Sequence, residues 1–103
     1  MYLVQILLPT HDNDGRRFDR ALFDAVRTEL TERFGGVTAF VQSPALGLWK
    51  DQGRGTTTRD QMILVEVMTP RLERAWWRRY RTRLERTFRQ DAIVARALAY
   101  SAL

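Results

Sequence analysis

Met62-Ile63-Leu64-Val65-Glu66-Val67-Met68 decides the fold. Successive side chains of a strand point to opposite faces. Ile63, Val65 and Val67 therefore share a wholly apolar face, and Met62, Leu64, Glu66 and Met68 share a mixed one. Three other segments sort in the same way. Tyr2, Val4, Ile6 and Leu8 oppose Leu3, Gln5 and Leu7; Val37, Ala39 and Val41 oppose Thr38, Phe40 and Gln42. Near the end, Ile93, Ala95, Ala97 and Ala99 oppose Val94, Arg96, Leu98 and Tyr100. Four such strands describe one sheet with a dry face, which helices must cover, and a second face that is apolar but studded with polar groups.

The segments between the strands change period. From Phe18 the apolar residues recur at helical spacing, Phe18, Leu22, Val26, Leu30 and Phe34, with Asp12 or Asp14 available near the helix start. Gly35-Gly36 ends this helix, because glycine enters the left-handed region without a Cβ penalty. Pro44 cannot donate to a ladder and marks the second strand as an edge or bulged strand, which Leu48-Trp49 resumes. Asp51 to Asp60, with two glycines and three threonines, reads as a hairpin loop. Thr69-Pro70 supplies an N-cap hydroxyl and a proline at the first helical position. The second helix then uses Trp76 or Trp77, Tyr80, Leu84 and Phe88, and the last strand begins near Asp91.

The order β-α-β-β-α-β predicts a single α+β domain over residues 1–103, ferredoxin-like, with a four-stranded antiparallel sheet in the order 4-1-3-2. Right-handed crossovers put both helices on the dry face. The alanines of the last strand are expected to make room there for the tryptophan-bearing second helix.

Composition narrows the function classes. A chain of 103 residues builds one core that buries roughly 65% of the unfolded surface. With no cysteine there is neither disulfide nor thiolate chemistry. The start, Met1 to Leu8, lacks a basic flank and is too short to span a bilayer, so a cytoplasmic protein without a membrane partner is the expectation. His11 is the single histidine, and no second ligand stands at a metal-binding spacing from it; the aspartates around it suit a turn, and no metal or cofactor is implied.

The mixed face carries the functional reading. Leu3, Leu7, Phe40, Met62, Leu64, Met68 and Leu98 would expose an apolar patch larger than the few hundred Å² a monomer tolerates, and a second copy packed face to face is the simplest cover. Gln5, Glu66 and Arg96, with Tyr100 nearby, are then the candidate ligand-binding residues. In the order 4-1-3-2, Gln5 lies on the strand between those bearing the other two, so the three can form a row. Such a row either fixes dimer register as a hydrogen-bonded network or lines a pocket for a small molecule between sheet and partner. A cofactor-independent enzyme using Glu66 or Arg96 is the alternative. Between residues 71 and 89 eight arginines face two glutamates, which raises polyanion or nucleic-acid binding as a third reading. A solvated helix face explains these arginines more simply, since they avoid the apolar positions.

Phe34-Gly35-Gly36-Val37-Thr38, Gly47-Leu48-Trp49, Val65-Glu66-Val67-Met68, Trp76-Trp77 with Tyr80, and Phe88 with Gln90 and Ile93 together resemble a family of short uncharacterised bacterial proteins. More distantly the architecture is similar to the dimeric α+β barrel proteins, which include cofactor-free monooxygenases, isomerases and small stress-response proteins. The second resemblance implies a homodimer. No catalytic signature of the barrel enzymes is present, so neither resemblance assigns a role to a residue.

Overall fold

Strand and helix boundaries follow from where each backbone group finds its partner. The computed structural model describes residues 1–36, 39–44 and 61–103. The elements are β1 (Tyr2–Pro9), α1 (Arg20–Phe34), β2 (Ala39–Pro44), β3 (Gln61–Thr69), α2 (Arg74–Thr87) and β4 (Ala95–Ala99). They make an α+β domain in which all strand pairs are antiparallel and the order across the sheet is β2-β3-β1-β4. The expected continuation of the second strand at Leu48-Trp49 and the hairpin loop from Asp51 to Asp60 lie outside the described residues. Among the described residues no helix is long and apolar enough to cross a membrane.

The dry face packs as its periodicity demands. Val4, Ile6 and Leu8 of β1 and Ile63, Val65 and Val67 of β3 are buried together with Phe23, Val26 and Leu30 of α1 and Trp77, Tyr80 and Leu84 of α2. Both helices therefore cover the same face. Phe18, Phe88 and Ile93, from the connections, close the core at one end, with the Phe18 and Phe88 rings edge to face at 5.1 Å between centroids.

Four expectations are corrected. First, α1 begins at Arg20, and its N-cap is Asp19, whose side chain accepts from the Ala21 amide at 3.0 Å. Asp12 is unavailable because its Oδ1 accepts from the amides of Asp14 and Arg16, folding its own turn. Second, α2 starts at Arg74 after Glu73 and not at Thr69-Pro70. Thr69 is committed to the ladder opposite Tyr2, and its hydroxyl donates to the Arg71 carbonyl at 2.6 Å. Third, β4 starts at Ala95, and Ala97 and Ala99 are exposed, so α2 fills only the Ala95 end of that strand.

The fourth correction is the face of β2. Residues directly opposite in a ladder share a face. Phe40 stands opposite Val65, and Ala39 and Val41 stand opposite Glu66 and Leu64. By backbone register Phe40 thus belongs to the dry face, and Ala39 and Val41 to the mixed one. In this segment both alternating sets are largely apolar, so periodicity gives no phase, and a one-residue slip exchanges the faces.

The end of α1 does follow its glycine. Gly35 adopts φ 86°, and its amide donates back to the Thr31 carbonyl at 2.8 Å. Among the described residues nothing lies within 4 Å of the place a Cβ would take, so an added methyl group meets backbone strain. Gly35→Ala should therefore cost about 1 kcal/mol of stability, read as a lower urea midpoint at unchanged m-value.

Candidate functional site

Position along β1 places Gln5 opposite Glu66 on β3 and opposite Arg96 on β4. The three side chains rise from the mixed face in one line. The Gln5 amide uses both of its ends: Nε2 donates to Glu66 Oε2 at 2.6 Å, and Oε1 accepts from Arg96 Nε at 2.8 Å. A neutral amide thus joins a carboxylate to a guanidinium that stand two strands apart, about 10 Å at ordinary strand spacing. Each bond has one charged partner, which makes it stronger than a neutral pair. Gln5 and Glu66 are half-buried and Arg96 is exposed. Among the described residues, Glu66 Oε1 and the two Arg96 Nη groups have no partner.

The apolar candidates surround this row. Leu3 stands opposite Met68 on one side and Leu98 on the other, and Leu7 stands opposite Leu64. Met68 and Leu98 are each 47% exposed, whereas Leu3, Leu7, Met62 and Leu64 are half-buried by their neighbours. The Phe40 side chain lies outside the described part, and its register removes it from this face. Tyr100 is half-buried just past the end of β4, where its amide donates to the Met1 carbonyl, and it does not join the row. His11 packs locally, with Nδ1 at 2.7 Å from the Thr10 hydroxyl.

The arginines in and around α2 are matched only in part. Three ion pairs tie this region to α1 and the first loop. Arg83 pairs with Glu29, Arg33 of α1 with Glu73 at 2.7 Å, and Arg89 with Asp12 at 3.4 Å. Hydrogen bonds from the Arg16 and Asp14 amides, with Arg89 and Arg16 nearby, hold the Asp12 carboxyl below its usual value. Arg81 reaches Glu85 only at 3.9 Å, and Glu85 also accepts from the Ile93 amide at 3.2 Å. Among the described residues Arg74, Arg78, Arg79 and Arg86 have no carboxylate partner.

Aromatic rings fix α2 against α1. Phe34 stacks on Trp77 at 4.9 Å and Trp76 stacks on Tyr80 at 4.9 Å, with the two tryptophans edge to face. The packing leaves two buried polar atoms, Trp77 Nε1 and the Tyr80 hydroxyl, without hydrogen-bond partners among the described residues. Sequence periodicity marks these residues as core, but it carries no sign of their unpaired atoms. Burial, with the nearby Glu29 carboxylate, pushes the Tyr80 hydroxyl well above the usual tyrosine range, and Arg83 offsets this in part.

No family model, curated protein or solved structure matches this chain.

Two tests follow from these contacts. Gln5→Met keeps the bulk of the side chain and removes both bonds, and should cost about 1–2 kcal/mol in chemical denaturation. In that background Glu66→Gln should cost markedly less than in the unaltered protein, because the bond it weakens is already gone. For Tyr80, the raised pKa means that its stabilising contribution is complete below pH 10 and is lost as pH rises further, because the unfolded chain ionises first. Ultraviolet titration should show less tyrosinate in the folded protein than in the urea-unfolded chain at the same alkaline pH. That gap should shrink in Tyr80→Phe.

Proposed function

We propose that the chain is a ferredoxin-like domain that works as a homodimeric module, the mixed face of its sheet packed against the same face of a second copy. The observation that carries this reading is the pairing of exposed Met68 and Leu98 with a polar row that is self-complementary. Apolar side chains gain about 25 cal/mol per Å² removed from water, and face-to-face sheets pack about 10 Å apart. The row favours one way round for the two copies. In a dimer with its two-fold axis parallel to β1 and above Gln5, Arg96 of each copy faces Glu66 of the other. The free Nη groups and the free Oε1 then complete each other's hydrogen bonding. With the axis along the row, Arg96 would face Arg96 and Glu66 would face Glu66, burying like charges at a cost of several kcal/mol.

The bridging amide favours a network that fixes register over an open pocket with a general base. Glu66 and Arg96 are already tied to Gln5, and a pocket for a small molecule or a cofactor-independent reaction would have to break those bonds. A ligand between sheet and partner, and catalysis by Glu66, are therefore the weaker readings.

Sedimentation equilibrium should give a dimer at micromolar concentration. Leu64→Lys should dissociate it by placing an unpaired ammonium in the interface. Glu66→Arg and Arg96→Glu should each weaken dimerisation by roughly tenfold or more, and the double exchange should restore it. A monomeric native protein would overturn the proposal. A dimer indifferent to both single exchanges would remove the crossed arrangement.

A further inference from the structure

The short side chains of β4 leave an unfilled space beside α2. A cleft of about 170 Å³ opens there. Val4, Trp77 and Ala95 line its inner part, and Ala97 lies toward its mouth, exposed. Arg74, Arg78 and Arg81, one helical turn apart along α2, line the other side, and Arg96 closes the β4 edge. Among the described residues no carboxylate lines the cleft.

The charge arrangement gives the cleft a chemistry. Among the described residues, Arg83, Arg33 and Arg89 are matched by Glu29, Glu73 and Asp12, whereas Arg74 and Arg78 of the cleft have no acidic partner, like Arg79 and Arg86 on the other flank, and Arg81 reaches only Glu85 at 3.9 Å. Positive charges of one sign around a low-dielectric floor focus a field on the cleft and raise the local concentration of anions. Guanidinium forks match the geometry of phosphate and carboxylate oxygens. Trp77, 7% exposed, lines the same cleft and gives its floor an aromatic surface for an apolar group.

Size bounds the body of the ligand. An apolar cavity of about 150 Å³ accepts a benzene ring, so this cleft suits one ring or a short chain. We propose that the cleft between α2 and β4 binds a small organic anion, a compact apolar body carrying one phosphate or carboxylate, with Arg74 and Arg78 holding the charged group and Trp77 and the β4 alanines receiving the body. Arg74, Arg78, Trp77 and Val4 line it from the helix side of the sheet, so that part stays open when the mixed face is covered; Arg96 alone is shared with the polar row, and the assignment of the charged group to Arg74 and Arg78 does not rest on it.

Calorimetric titration of the native protein with phenyl phosphate, benzoate and neutral benzyl alcohol tests the assignment. Phenyl phosphate or benzoate should bind one per chain, and benzyl alcohol at least tenfold more weakly. The two anions separate a phosphate-selective site from a carboxylate-selective one. Arg74→Gln/Arg78→Gln should weaken the preferred anion by tenfold or more. Arg79→Gln/Arg86→Gln, on the other flank of α2, should leave it within about twofold. Ala97→Leu narrows the mouth from an exposed position and should abolish binding at an unchanged melting temperature. Equal binding of benzyl alcohol, equal losses in the two arginine pairs, or no binding of either anion at millimolar concentration would each overturn the proposal. Retention of DNA that both arginine pairs weaken alike, with no small-anion site, would replace it with a diffuse polyanion surface.

Discussion

The double hydrogen bonding of β1 is the constraint on which this molecule depends. β1 is flanked by β3 on one side and β4 on the other, so every side chain along it is assigned to a face by both neighbours at once. Val4, Ile6 and Leu8 are delivered to the helices, and Leu3, Gln5 and Leu7 to the opposite face. A slip of one residue would put Gln5 in the core and Ile6 outside it, which makes the register energetically stringent. Gln5 reinforces the same register from above, since its amide reaches Glu66 and Arg96 only when all three are level.

This explains why the centre of the fold was legible and its margins were not. β1 and β3 have one wholly apolar alternating set and one interrupted set, so their phase is unambiguous. The row of Gln5, Glu66 and Arg96 came from that phase together with the strand order. β2 carries no such contrast, so its sequence does not tell which face Phe40 takes, and only the register with β3 does. Helix starts failed for a different reason. Asp12, Asp14 and Thr69 all have the chemistry of an N-cap, and only tertiary context shows that Asp12 and Thr69 spend their oxygens on local turns. The gap beside β4 is not legible in the sequence, because alanine marks a small side chain without saying whether anything packs against it.

α2 reconciles two demands on one helix. Its inner face contributes Trp77, Tyr80 and Leu84 to the core, and its remaining surface is crowded with arginine. Exposed ion pairs contribute little individually, with a median of 0–1 kcal/mol. The links from Arg83 to Glu29 and from Arg33 to Glu73 are thus better understood as orienting α2 against α1 than as holding the fold together. Aromatic stacking through Phe34, Trp76, Trp77 and Tyr80 supplies the adhesion.

β4 lies at the end of the sheet, with its outer row of backbone donors and acceptors unpaired by any described strand. Such a rim is a template on which further chains can add, the first step toward fibrous aggregation. Here the exposed rim is five residues long and carries Arg96 at its second position, both of which discourage growth in that direction. Removing the arginine would therefore do more than loosen a polar row, because a continuous Ala-x-Ala-Leu-Ala ribbon would be left at the border of the sheet. The guanidinium doubles as a guard on solubility.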